Sequence, residues 1–311
     1  MSVPKEEEKK EKRHEEYQVL DLFKECLGEG ADEIDDRTGV GTFSVFGRMM
    51  KFSLHGNTLP LLTTKRVFFR GVKEELLWFI SGSTNSNDLE SKGITIWKAN
   101  GSKDFLEKRG LTGREEGDLG PMYSFQWRHF GYDYKGCHYD YNGLGYDQLK
   151  ECINMIKNNH PNDKRRIVMT SWNPTQISEM ALPPCHVCCQ FSRRKNPDPK
   201  KNVDVLDCSM FQRSADVAVG VPFNIASYSL LTMMIAHVCG IEPGTFTHFM
   251  SDVHVYKNLV PEVKEQLKRE PRPFPKLKIK RNVSSIDDFK SDDIDIEGYD
   301  PHPPIKMVMN A

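Results

Sequence analysis

Helical and strand-like patterns alternate along this 311-residue chain, so the sequence predicts a fold that mixes both kinds of element. Three observations carry that reading. Tyr17, Leu20, Phe23 and Leu27, with Val19 and Leu22 beside them, recur at helical spacing and stop at Gly28. Phe43, Val45 and Phe46 sit in an alternating, strand-like run. Residues 217–241 hold no charged side chain apart from a protonatable His237, as expected of a helix buried on all sides.

Composition bounds the rest. The length is near the upper limit for one hydrophobic core and allows one or two domains. With 43 basic and 44 acidic side chains there is no global pull toward nucleic acid or membrane, and any anion site must be built locally. The eight cysteines are scattered and the N-terminus carries no apolar leader core, so a reducing interior, the cytoplasm with or without a nuclear pool, is the expected compartment. Cys185 and Cys188 share a C-x-x-C spacing. No second such pair or histidine pair completes four ligands, so no metal is expected.

Taken in order, residues 1–16 are read as a charged, solvated tail and residues 17–311 as one folded domain. Residues 35–42 are turn-rich; Gly39 and Gly41 let the backbone approach a ligand and Arg37 offers a phosphate clamp, although a glycine-flanked arginine also suits a surface turn. Residues 71–82 predict a helix with Val72, Leu76, Phe79 and Ile80 on one face. Glu74 falls opposite that face as ordinary solvent charge, whereas Glu75 falls at its edge, where burial raises a carboxyl pKa and fits it for moving protons. Gly117 to Pro121 is a turn, and the aromatic run from Tyr123 to Arg128 reads as a strand. Leu149, Ile153 and Ile156 give a helix over 147–157. Arg165 and Arg166 then enter an apolar strand, an arrangement that calls for an anion.

A basic insert at about 192–204 has five cationic groups against one acidic one between 193 and 202; it reads as a solvated hairpin tip, with RNA contact as the alternative. The apolar stretch that follows becomes a core helix over about 225–239, too short and too polar at its start to span a membrane, with Asn224 opening it and Gly240 ending it. His254 and Tyr256 share one strand face and suit a common hydroxyl.

The chemistry centres on Ala181-Leu182-Pro183-Pro184-Cys185-His186. Two prolines fix the approach and present Cys185 from a stiff, extended segment. A thiol reacts as thiolate, and a neighbouring cation lowers its pKa; Arg213 is the candidate for that task.

Pro183-Pro184-Cys185-His186, Gln212-Arg213-Ser214 with Asp216, and Gly220-Val221-Pro222-Phe223-Asn224-Ile225-Ala226-Ser227-Tyr228 occur in this order and at closely matching spacing in the thymidylate synthases, which the chain resembles from about Asp35 to Ala311. Asp36-Arg37-Thr38-Gly39, Leu61-Leu62-Thr63-Thr64-Lys65, Glu74-Glu75-Leu76-Leu77-Trp78, Gly120-Pro121-Met122-Tyr123, His254-Val255-Tyr256 and Glu270-Pro271-Arg272-Pro273 extend the match. Departures include Ser124, Ala215 and Ala218, where glycine is usual, and the last two residues, Asn310-Ala311.

The resemblance implies a single α+β domain whose large mixed sheet forms a dimer face, covered by helices on the other side. It implies reductive methylation of dUMP by 5,10-methylenetetrahydrofolate through a covalent Cys185 adduct, with no metal. Arg37, Arg213 and Arg165 with Arg166 from the other subunit of a homodimer would hold the phosphate, and Gln212, Ser214, Asp216, Asn224, His254 and Tyr256 the nucleoside. Asn224 would read uracil, Glu75 would organise a water network, and Tyr123 would assist proton removal. Ile96, Trp97, Asn100, Asp216, Val219, Gly220, Phe223 and Ala311 would form the folate side. Rival readings are a nucleotide hydroxymethylase on the same fold, a cysteine hydrolase using Cys185 and His186, and a non-catalytic RNA-binding protein.

Overall fold

The computed structural model describes residues 13–34 and 38–310; the expectations placed on Arg37, on Ala311 and on residues 1–12 fall outside them. In chain order the elements are α1 (Tyr17–Cys26), β1 (Asp32–Ile34), β2 (Thr42–Ser53), α2 (Phe69–Ser81), the short helices α3 (Asn87–Glu90), α4 (Lys98–Gly101) and α5 (Lys103–Lys108), α6 (Tyr123–His129), α7 (Gln148–Asn158), β3 (Val168–Thr170), β4 (His186–Arg194), β5 (Val205–Asp216), α8 (Gly220–Val238), β6 (Glu242–Tyr256), α9 (Val260–Gln266), β7 (Lys276–Ile279) and β8 (Ile294–Glu297).

Six strands form one sheet in the order β1-β2-β6-β5-β4-β3. Its one parallel pair, β5 with β6, needs a long crossover, and α8 supplies it. The remaining pairs are antiparallel, so the sheet is mixed and the fold is α+β as expected. Helix α8 is buried along nearly its whole length and packs on β5 and β6. Among the described residues it is the helix long and apolar enough to cross a membrane by composition, but its burial makes it the core of the domain.

The opposite face of the sheet is uncovered. Met49 pairs with Phe249 and Phe249 with Phe211, so three large apolar side chains lie in one cross-strand row. They are 55%, 42% and 39% exposed, and Phe46 on the same strand as Met49 is 77% exposed.

Four local expectations are corrected. The aromatic run after Met122 is helical, not extended: Tyr123 through Trp127 are all buried in α6, and covering every side erases the helical period. Helix α8 starts at Gly220, ahead of Asn224, because a proline in the first helical turn removes only an N–H that has no partner there, so Pro222 does not break it. Glu74 is buried, with Lys92 Nζ 3.1 Å from its carboxylate. Glu16 belongs to the core and not to a solvated tail: its carboxylate accepts from the backbone N–H and the hydroxyl of both Thr63 and Thr64, at 2.6–2.9 Å.

The basic insert closes the β4–β5 hairpin. Four of its five cations have acidic partners: Arg193 and Lys195 meet Asp204 at 2.9 and 3.1 Å, Lys201 meets Glu242 at 2.8 Å, and Arg194 pairs with Asp207.

Candidate active site

Cys185 stands one residue before β4, half-buried, and is gripped from two sides. Its backbone N–H donates to the Tyr123 hydroxyl at 2.7 Å, and its carbonyl accepts from the Arg213 N–H at 2.9 Å. The Arg213 guanidinium reaches back over the preceding prolines: Nε donates to the Pro184 carbonyl at 2.8 Å and Nη2 to that of Pro183 at 3.0 Å. Proline carbonyls have no helix or ladder to enter here, so the arginine that supplies positive charge also fixes the segment carrying the sulfur.

Behind this segment lies an aromatic wall. Tyr123 stacks on His186 at 4.2 Å between ring centroids, and His186 Nδ1 lies 3.0 Å from the Tyr228 hydroxyl. Burial drives the His186 pKa down to about 3, so the imidazole is neutral, and its Nδ1 is engaged with Tyr228. Burial, together with the nearby Cys185, raises the Tyr123 pKa well above that of a free phenol.

Glu75 joins this wall through Trp97. Trp97 Nε1 donates to its carboxylate at 2.8 Å, and the Trp97 and Tyr123 rings are 6.3 Å apart. Burial pushes the Glu75 pKa up to about 7, against the lowering effect of the Trp97 bond. The contrast with Glu74 is physical: Lys92 and Ser291 overcome burial there and keep the Glu74 pKa low. Ile96 and Trp97 are half-buried, while Asn100 is buried with its Nδ2 unpaired. Phe223 lies against Gly71 of α2, where an added Cβ would come 3.4 Å from its ring.

Asn224 is oriented by a chain of hydrogen bonds. Gln212 Nε2 donates to the Ser214 carbonyl at 2.8 Å and to Asn224 Oδ1 at 3.0 Å, while Gln212 Oε1 faces His248 Nε2 at 2.8 Å. A backbone carbonyl only accepts, so Ser214 fixes which end of Gln212 carries the N–H groups. Asn224 must then accept with Oδ1, so its NH2 is the end of the amide that Gln212 does not hold. His248, whose pKa burial lowers to about 3, is neutral and carries its proton on Nε2. Its other ring nitrogen is buried without a partner. Sequence reasoning missed His248; a histidine in the apolar alternation of residues 245–250 was the available signal.

Asp216 ends β5 opposite His254 of β6. Its carboxylate caps the N–H groups of Ala218 and Val219 at 2.9 and 3.1 Å, and burial raises its pKa. A Cβ on Gly220 would sit 3.8 Å from both Asp216 Cβ and Asn224 Oδ1, so these groups crowd together. His254 Nδ1 lies 2.7 Å from Asp252 Oδ1, and the His254 and Tyr256 rings meet edge to face at 5.3 Å. Lys65 donates to the Ala218 carbonyl and reaches Met307 Sδ at 3.1 Å, and Asn310 bonds Asn258, so the C-terminal segment is already docked beside this loop.

The chain therefore brings Cys185, Tyr123, Arg213, Glu75 and Trp97 into one set and Gln212, Asn224, Asp216 and Gly220 into an adjoining one. Arg165 and Arg166 stand apart in the exposed turn before β3, and among the described residues no hydrogen bond or ion pair joins their side chains to either set.

The thymidylate synthase family model matches residues 17–311. The chain is 55% identical to the thymidylate synthase of Homo sapiens over 296 residues, covering 95% of this chain and 91% of that protein. It is also 55% identical to the thymidylate synthase of Equine herpesvirus 2, covering 95% of this chain and 98% of the viral protein. Similarity to the bifunctional dihydrofolate reductase-thymidylate synthase 2 of Arabidopsis thaliana reaches 57% over 96% of this chain, which spans 50% of that longer protein.

Proposed function

The chain belongs to the thymidylate synthase family, and from that premise we propose the part each residue of the site plays. It is a methyltransferase that converts dUMP to dTMP; methylenetetrahydrofolate supplies the one-carbon unit and the hydride and leaves as dihydrofolate.

The Cys185 thiolate adds to C6 of the uracil, makes C5 nucleophilic and so divides one difficult step into easier ones. Arg213, held on the Pro183 and Pro184 carbonyls, stabilises the thiolate and keeps Nη1 for the substrate phosphate. Asn224 offers its NH2 to a keto oxygen and the second lone pair of Oδ1 to an imide N–H, which fits uracil. Tyr123, kept protonated by burial, passes the C5 proton on through water, and Glu75, with a pKa of about 7, exchanges protons with that water near neutral pH. Ser214 and Asp216 line the nucleotide, and His254 and Tyr256 receive a sugar hydroxyl.

The folate side fits its ligand by chemistry. Asn100 has a buried Nδ2 in need of an acceptor, and Ile96, Trp97, Val219, Gly220 and Phe223 provide half-buried faces for a flat heterocycle.

The exposed apolar row Met49, Phe249 and Phe211 supports a homodimer through the sheet, which would take it out of water. Arg165 and Arg166, exposed and unengaged in ion pairs within the described chain, are then given to the partner's phosphate. A reducing cytoplasm suits eight unbonded cysteines. RNA contact through 193–202 would have to compete with four intramolecular ion pairs.

The observation that carries the reading is the grip on Cys185 by Tyr123 and Arg213. Its test is mass analysis of both products from dUMP and methylenetetrahydrofolate. Methylated nucleotide with stoichiometric dihydrofolate is expected; hydroxymethylated nucleotide with tetrahydrofolate would transfer the chain to the hydroxymethylase reading.

A further inference from the structure

Away from this site, Glu115, Cys137 and His138 bring a carboxylate oxygen, a sulfur and an imidazole nitrogen to within 4.8 Å of one another. His138 Nε2 lies 3.0 Å and Cys137 Sγ 3.4 Å from the same oxygen, Glu115 Oε1. Tetrahedral zinc with bonds of about 2.0 Å to nitrogen and oxygen and about 2.3 Å to sulfur separates its ligand atoms by about 3.3–3.6 Å, close to what the side chains already adopt. We propose that Glu115, Cys137 and His138 form a binding site for a zinc-class divalent cation, with its fourth position open to water.

The donor set selects the metal. Thiolate with imidazole disfavours magnesium and calcium and suits zinc, or cobalt as its probe. The surroundings are pre-ordered: Tyr134 donates to Asp118 at 2.6 Å, Arg114 pairs with Asp118 at 3.2 Å, and the Arg114 guanidinium lies over the Tyr134 ring at 4.7 Å. These contacts hold the two ligand-bearing loops in register and occupy Arg114 with a carboxylate that is not a ligand. Metal binding breaks the S–H bond, forms the metal–sulfur bond and releases the proton to solvent, so affinity rises with pH. The bound ion would clip residues 109–118 to residues 131–146. The first of these loops leads to Leu119, whose carbonyl accepts from Ala181 at 3.0 Å on the approach to Cys185.

The test is cobalt titration of the full chain, stripped of metal and kept reduced by a phosphine. One cobalt per chain with a thiolate-to-cobalt charge-transfer band, displaced by zinc, is expected; the band should vanish in Cys137→Ser, and binding should weaken in His138→Ala. Both variants should still form dTMP, which certifies folding, and either one alone decides the matter should the other fail to fold. Absence of the band in the parent would overturn the proposal. So would an unchanged band in Cys137→Ser, or affinity unchanged in His138→Ala, because other cysteines would then be the ligands.

Discussion

The hydroxyl of Tyr123 accepts a hydrogen bond from the backbone N–H of Cys185 at 2.7 Å, so one phenol both anchors the nucleophile's backbone and keeps its own proton free to donate. Tyr123→Phe removes both functions while preserving the stack on His186. We expect kcat to fall by about 10²- to 10⁴-fold, the range of a lost proton relay, with a smaller change in the KM for dUMP. A kcat near that of the parent in steady-state assays would refute the assignment.

Glu75 titrates at about 7 in the folded chain against an ordinary 4.5. A raised carboxyl pKa means that the folded state keeps a proton the unfolded state has lost, so Glu75 costs stability increasingly as pH rises from about 4.5 to 7. Glu75→Gln removes that cost. Its melting temperature relative to the parent should therefore be higher at pH 8 than at pH 4, while turnover drops and loses its inflection near neutrality. A melting difference independent of pH would contradict the burial argument.

Asn224→Asp exchanges the NH2 for an acceptor, while Gln212 Nε2 retains a partner for the donation it already makes over 3.0 Å. The ratio of kcat/KM for dCMP to that for dUMP should rise by about 10- to 100-fold, as expected for one reversed hydrogen bond to a charged group. His248→Phe, which leaves Gln212 Oε1 without its donor, should relax the same ratio through positioning alone. Selectivity identical to the parent in both variants would rule out the His248-Gln212-Asn224 chain as its source.

Two subunits are required if Arg166 serves the partner's phosphate. Arg166→Ala and Cys185→Ser should each be inactive as homodimers, and mixing them under exchange conditions should restore about a quarter of parental sites per chain, one intact site in each heterodimer formed at random. Mixtures as inactive as the separate variants would exclude a shared site.

Glu16→Gln places an amide where four donors of Thr63 and Thr64 converge. Its NH2 can keep a partner only by turning a threonine hydroxyl from donor to acceptor, and the charge that all four donors favour is lost, so denaturant unfolding should show a loss of about 1–3 kcal/mol. Stability within experimental error of the parent would mean that the carboxylate is dispensable.

Much of this molecule was readable because local patterns matched their tertiary surroundings. Helices α1 and α7 each keep one wet face, and α2 keeps its apolar spacing although only Arg70 and Ser81 of it are exposed, so their periodicity survived in the sequence. Where every side is covered the pattern vanished, and α6 passed for a strand. Charge density misled at Glu16 and Glu74, since a run of charged residues does not reveal which carboxylate finds buried donors. The nucleophile, its proline approach and the Gln212 to Asn224 segment were legible as motifs. The link from Gln212 to His248 was not, because it depends on the register of β5 against β6. Nor was the cluster around Cys137, whose carboxylate comes from a different loop. Ser124 shows a departure absorbed locally: its hydroxyl donates to the Ser83 carbonyl at 2.5 Å, a contact glycine cannot make.

Thr63 bonds Glu16 through its N–H and hydroxyl, and its carbonyl accepts from the His302 N–H at 2.7 Å. The two approaches to the chain ends are thus fastened to one residue. Mechanically they share a clamp: a pulling force applied at either terminus is carried to the same short segment ahead of Lys65. Single-molecule stretching should register one common rupture there instead of two independent peeling events, and a break at Glu16 would loosen the docked C-terminal segment as well.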